Sequence, residues 1–126
     1  MITIGTSATA TTTATEALSA KTMKSGSLLV FATPAMCALM EEAAQAAVAP
    51  FLEEGQATVG TALSITHDAP SPMGADLTAT ATVTKVDGRK IDFDVVAKEG
   101  DKVIGQGTHS RFIIDAERFM SKVNNR

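Results

Sequence analysis

Between Val30 and Phe51 the apolar positions recur at steps of three and four. Met36, Leu39, Met40, Ala43, Ala47 and Phe51 therefore share one face of a helix. Thr33 before Pro34 marks its start: a threonine hydroxyl caps free N–H groups, and a proline in the first turn has no N–H to lose. Pro50 marks its end, because the residue ahead of a proline is pushed out of helical torsions. Alanine dominates the run, favouring helix and letting a sheet come close, so the pattern predicts a helix wrapped by other elements. Glu41 and Glu42 interrupt it. Neighbours on a helix diverge by about 100°, and the stripe Thr33, Cys37, Glu41, Gln45 runs at steps of four. Glu41 thus borders the buried face and Glu42 is the solvated one.

After the helix the period changes from 3.6 to 2. Residues 57–68 read as a strand with Val59, Leu63 and Ile65 on one face and Thr61 and His67 in the same parity. Ala69 to Gly74 is a loop by its prolines and glycine. Residues 75–86 alternate Leu77, Ala79, Ala81 and Val83 against threonines, and residues 90–98 alternate Ile91, Phe93, Val95 and Ala97. Asp87-Gly88 and Gly100-Asp101 are hairpin turns, so these strands run antiparallel. In residues 102–114, Gly105 and Gly107 mark a bulge or a close backbone approach. Asp115 caps a short last helix that docks Phe119 and Val123 inward. Ahead of the long helix, the threonine–alanine run suits a strand, with a disordered tail as the alternative. Glu16 to Met23 makes one or two helical turns, and residues 16–30 are a candidate lid.

One apolar helix and one half-apolar sheet must bury their faces on each other. The expectation is a single α+β domain over residues 1–126, with residues 1–29 as N-terminal strand and candidate lid, and a curved antiparallel sheet around a central helix. A free sheet edge invites a second copy, so a homodimer is expected, with further pairing to a tetramer left open.

Composition narrows the function. The formal charge is −3, from 14 acidic and 11 basic residues, and no basic run or aromatic platform argues for nucleic acid. Cys37 is the only cysteine, which excludes an intrachain disulfide and points to a cytoplasmic location. No stretch reaches membrane-spanning length. Two distant histidines make a poor metal site, so no metal is expected.

The ordered pieces Phe31-Ala32-Thr33, Leu39-Met40-Glu41, Val59-Gly60-Thr61, Thr66-His67 and Gly105-Gln106-Gly107-Thr108-His109 with Arg111 resemble the hotdog-fold thioesterases of the fluoroacetyl-CoA thioesterase-like family. The likeness covers roughly residues 28–122. It implies a dimeric hotdog fold that hydrolyses acyl-CoA thioesters to free acid and CoA at the subunit interface, with no cofactor beyond the coenzyme A of the substrate. Residue by residue it implies Thr33, Glu41 and His67 as the catalytic set, and Gly60 and Arg111 as substrate-binding positions. The N-terminal segment, where such proteins cover the acyl group, matches least well.

The residue types suit that chemistry. A thioester carbonyl needs a nucleophile, proton handling for water and donors for the oxyanion. A carboxylate at Glu41 serves as nucleophile or general base, an imidazole at His67 handles protons near neutrality, and the Thr33 hydroxyl donates to the carbonyl oxygen or positions water. Backbone N–H groups at the helix start and beside Gly60 are candidate oxyanion donors. Plainer readings stand beside these. Thr33 reads equally as a helix cap, which would place Glu41 about 12 Å further along the axis. Glu41 reads as a solvated helix residue, His67 as a surface histidine, and Arg111 as a surface charge or a contact for a CoA phosphate. His109 reads as structural and Cys37 as a small core residue rather than a nucleophile. The alternative function is a non-catalytic hotdog protein that binds an acyl-CoA or small acid; enoyl-CoA hydration ranks last.

Overall fold

The computed structural model describes residues 1–126. Strand β1 (Ser7–Thr13) is followed by a 3-10 turn (Glu16–Leu18) and a short helix α1 (Ala20–Met23). The long helix α2 (Thr33–Val48) ends in a 3-10 turn (Ala49–Phe51). Then come β2 (Gln56–His67), β3 (Asp76–Asp87), β4 (Lys90–Glu99), β5 (Lys102–Asp115) and α3 (Ala116–Asn124). All five strands form one antiparallel sheet in the order β1-β3-β4-β5-β2. The threonine–alanine run is therefore a strand rather than a tail: Ser7 to Thr13 pair with Thr82 to Asp76.

The sheet curls so that one face holds α2. Leu77, Ala79, Ala81 and Val83 of β3 and Ile91, Phe93, Val95 and Ala97 of β4 are all buried, as their alternation requires. They meet Ala35, Met36, Leu39, Met40, Ala43, Ala44, Ala47 and Val48 of α2 in one core of 21 buried apolar residues. The small side chains allow the close contact: a Cβ on Gly105 would lie 2.5 Å from the Met36 sulfur. On the opposite face the Thr9 and Thr80 hydroxyls share a 2.9 Å hydrogen bond between β1 and β3.

The curved sheet wraps the long helix as expected, and Thr33, Pro34, Ala38, Glu42, Gln45 and Ala46 are exposed on the side of α2 away from it. Two sequence expectations need correcting. Phe51 lies beyond the helix in the 3-10 turn and is 44% exposed. Helix α3 fully buries no residue: Val123 is exposed, and Phe119 is half-buried beside Phe112 and Ile113 of β5.

The alternation read into residues 57–68 fails at one place. The register of β2 on β5 shifts between Gly60 and Ala62: Gly60 pairs with Arg111 and Ala62 with Ser110, leaving Thr61 as the extra residue of a β-bulge. Beyond the bulge Leu63, Ile65 and His67 face the same way as His109, Gly107 and Gly105, their partners. Before it, the parity is reversed. Thr58 and Gly60 now share that face, while Val59 pairs with the exposed Phe112. The bulge is what allows Gly60 and His67 to present to the same side of the sheet.

Candidate functional site

The stripe on α2 carries two groups of polar side chains. The first sits at its N-terminus. Thr33 is not the cap: Ala32 is, with extended torsions, and Thr33 is the first helical residue. Its hydroxyl is thereby released from capping and shares a 2.7 Å hydrogen bond with His67 Nδ1 from the end of β2. The other ring nitrogen, Nε2, is buried with no hydrogen-bond partner within the chain. A buried polar atom left unpaired costs roughly 1–3 kcal/mol, so this one marks a position where a further polar group belongs. Thr33 and His67 line a cavity of about 260 Å³ with Ala20, Val30, Phe31 and Pro70.

The wall of that cavity is tied down from residues 16–30. Ala20 N–H donates to the Val30 carbonyl, Ala32 N–H to that of Leu18, and Phe31 N–H to that of Ser71, all within 3.0 Å. The Ser19 hydroxyl caps α1 by accepting from Thr22 N–H. The segment folds back on itself and leaves Leu28 and Leu29 facing outward.

The second group lies two turns along α2. Glu41 Oε2 is 3.9 Å from Arg111 Nη1; the arginine side chain is 7% exposed and the glutamate 44%. Arg111 donates from Nε to the Thr58 hydroxyl and from Nη2 to the Thr58 carbonyl, both at 2.9 Å, and from Nη1 to His109 Nε2 at 3.2 Å. Burial pulls the Arg111 proton affinity down and Glu41 restores it in part, and a guanidinium stays charged throughout the physiological range. Gly60 has no room for a side chain: a Cβ there would be 2.8 Å from Glu41 Oε2 and 3.2 Å from His109 Cε1.

Of the predicted residues, the chain pairs Thr33 with His67, and joins Glu41 to Gly60 and Arg111. It does not bring Glu41 and His67 into contact with each other. Glu41 lies eight helical steps beyond Thr33, about 12 Å along the axis, and the two groups are as distant as that spacing dictates. Cys37 lies between them, half-buried. Burial first, and then the Glu41 carboxylate, push its thiol pKa up, which suppresses the thiolate a nucleophile would need. No three histidine, cysteine or acidic side chains converge to hold a metal, and no helix is long and apolar enough to cross a membrane.

Sequence reasoning gave Thr58 no place and read His109 as structural; the chain sets both against Arg111. The signal for His109 was present: it lies two residues from Arg111 on a strand, hence on the same face. Thr58 gave none, because its parity depends on the bulge.

A single long helix laid against a curled five-stranded antiparallel sheet defines a hotdog-fold protein, the architecture of the hotdog-fold thioesterases. The family model described as fluoroacetyl-CoA-specific thioesterase (FlK) matches residues 9–117. The chain belongs to that family. A fluoroacetyl-CoA thioesterase of Streptantibioticus cattleyicolor is 44% identical over 97 residues, 77% of this chain and 70% of that protein. The solved structure of the fluoroacetyl-CoA thioesterase FlK superposes with a TM-score of 0.94 at 34% identity, covering 100% of this chain and 98% of that one. A thioesterase superfamily member from Thermus thermophilus superposes with a TM-score of 0.90 at 26% identity, covering 98% and 92%.

Proposed function

We propose that this protein hydrolyses a small or medium acyl-CoA thioester to free acid and CoA, at sites formed where two copies meet along β2. The observation that carries this is the Thr33–His67 pair, with its buried, unpartnered Nε2, at the lip of an open cavity. The family relationship supplies the substrate class: its named relatives act on fluoroacetyl-CoA.

Strand β2 is a free edge of the sheet, twelve residues long. Free edges of that length pair with another chain. Antiparallel pairing of two β2 strands about a two-fold axis near Leu63 and Ser64 sets the His67 end of one strand beside the Gly60 end of the other. The two polar groups that stand apart in one chain then become neighbours across the interface. Thr33 and His67 come from one protomer, and Glu41, Gly60 and Arg111 from its partner.

In that assembly the Thr33 hydroxyl and backbone N–H groups near Gly60 and the helix start hold the thioester oxygen. Glu41 takes a proton from water, or attacks the carbonyl itself. The carbon–sulfur bond breaks, and His67 delivers a proton to the departing CoA sulfur; water supplies the new oxygen of the acid. In the second route Glu41 forms a mixed anhydride as the thiolate leaves, and water then opens it at the acyl carbon; rapid-quench trapping of acylated Glu41 in a single turnover separates the two routes, because only attack by the carboxylate leaves the acyl group on the protein. Arg111 orients Glu41. Residues 16–30 cover the acyl group as a lid, and CoA enters as substrate, with no separate cofactor or metal.

The test is release of free thiol from a panel of acyl-CoA thioesters. Glu41→Gln and His67→Ala are each expected to abolish it. Full activity in both variants would overturn the site assignment, and tight acyl-CoA binding without thiol release across the panel would favour a binding role.

A further inference from the structure

We propose that His109 is a positioning residue for the thioesterase reaction: a neutral imidazole, protonated on Nδ1, that aims the Arg111 guanidinium at Glu41. The proposal rests on the reading of Glu41 given above.

The hydrogen bonds determine the proton's place. His109 Nδ1 lies 2.7 Å from the Ala62 carbonyl oxygen, which can only accept, so Nδ1 carries the hydrogen. Nε2 faces Arg111 Nη1 at 3.2 Å, and a guanidinium can only donate, so Nε2 presents its lone pair. The ring is 2% exposed and stacked on Phe93, with centroids 5.9 Å apart and planes at 27°, so packing supports the orientation that the two hydrogen bonds set.

Arg111 is thus held by three neutral acceptors: the Thr58 hydroxyl, the Thr58 carbonyl and the His109 ring. Its one anionic neighbour is Glu41, at 3.9 Å. Neutral acceptors fix the plane of the guanidinium without spending its charge, which remains directed at the carboxylate. The bulge contributes as well, since the carbonyl that fixes the tautomer belongs to Ala62, the residue after the extra Thr61.

The groups around the ring are few. From β2 come the Ala62 carbonyl and Gly60, from β4 Phe93, from β5 Arg111 and from α2 Glu41. Only Arg111 and Glu41 are charged. A proton on Nε2 would remove the acceptor and set an imidazolium against a guanidinium. Burial lowers the His109 pKa first; the Ala62 carbonyl and Glu41 oppose that, and Arg111 adds to it. The neutral, aiming form therefore persists below the ordinary imidazole range.

Two measurements test this. In long-range proton–nitrogen spectra of labelled wild-type protein, His109 is expected as the neutral Nδ1–H tautomer at pH 7, and acid titration of its ring is expected to move the Arg111 Nε–H signal in step. An Nε2–H tautomer, a charged ring at pH 7, or an Arg111 signal indifferent to the titration overturns the proposal. In kinetics, His109→Ala is expected to lower kcat by roughly tenfold to a hundredfold with KM nearly unchanged, the scale of a misplaced catalytic group. His109→Gln, whose amide can donate to Ala62 and accept from Arg111, should recover most of that loss. A folded His109→Ala with wild-type kcat overturns the proposal; should that variant fail to fold, the Gln variant and the spectra decide. If Glu41→Gln is inactive while His109→Ala is unaffected, this inference alone fails. If Glu41→Gln is fully active, the site reading fails, and the spectra still judge the link from His109 to Arg111.

Discussion

Gly60 shows how little space separates binding from obstruction. A methyl group there would meet the end of the Glu41 side chain at 2.8 Å. That chain end is flexible and 44% exposed, so it can move aside but loses its place beside Arg111; the buried His109 ring, whose Cε1 would lie 3.2 Å from the new methyl, cannot yield as freely. Gly60→Ala is expected to lower thiol release by roughly tenfold or more while lowering stability by only about 1–2 kcal/mol; urea unfolding beside the thiol assay checks both. His109 carries a second expectation. Its folded pKa lies below the unfolded value, so the unfolded chain binds the proton that the folded ring refuses. Stability contributed by this residue is then complete at neutral pH and lost as pH falls below about 6.5. Urea titrations between pH 7 and 5 should show the decline, and His109→Gln should flatten it. At this scale the sequence exposed residue types well but not their partners. Thr33 beside Pro34 read as a cap because local signals suffice for one; only the extended torsions of Ala32 show that the cap had moved and the hydroxyl was free.

Among elements, the decisive contact is α2 on the sheet. Met36 lies against β5 where Gly105 has no side chain, and the added Cβ of Gly105→Ala would also come within 2.7 Å of the Thr66 backbone oxygen. Backbone cannot yield as a side-chain end can. Gly105→Ala is therefore expected to destabilise the protein by about 1–3 kcal/mol, measured as a lower urea midpoint with an unchanged slope. The alternations over Leu77–Val83 of β3 and Ile91–Ala97 of β4 were legible because both strands are flanked on either side and the register shifts fall only after those stretches, beyond Val83 and Ala97. Strand β2 was misread before its bulge, since a register shift on β5 leaves no mark in the sequence of β2 except a glycine. The final helix was located correctly and its docking only in part: Phe119 is half-buried against β5 while Val123 stays exposed, since an apolar stripe shows what a helix could bury but not how much of it meets a surface.

For the molecule as a whole, one chain holds both halves of the proposed site but at separate stations on α2. Subunit exchange offers a direct check. If His67 acts with Glu41 of the partner subunit, then mixing His67→Ala protein with Glu41→Gln protein and allowing reassociation makes heterodimers with one unaltered site. Activity should return to about a quarter of the wild-type level, half of the dimers being mixed and one site in two intact. Both partners acting within a single chain would leave the mixture inactive. The arrangement of residues that pointed to the family was visible from the sequence in order and spacing, but that order could not reveal how the two halves meet. The bulge at Thr61 bears on how such a chain can change its length. It is a half-step of phase: everything on its far side is set by the count of residues up to it. Losing or gaining one residue in this strand would leave the sheet able to close, yet turn one half of the polar set outward. Only changes by two would keep both halves in phase, so β2 admits length variation in even numbers, while the neighbouring loops are under no such restriction.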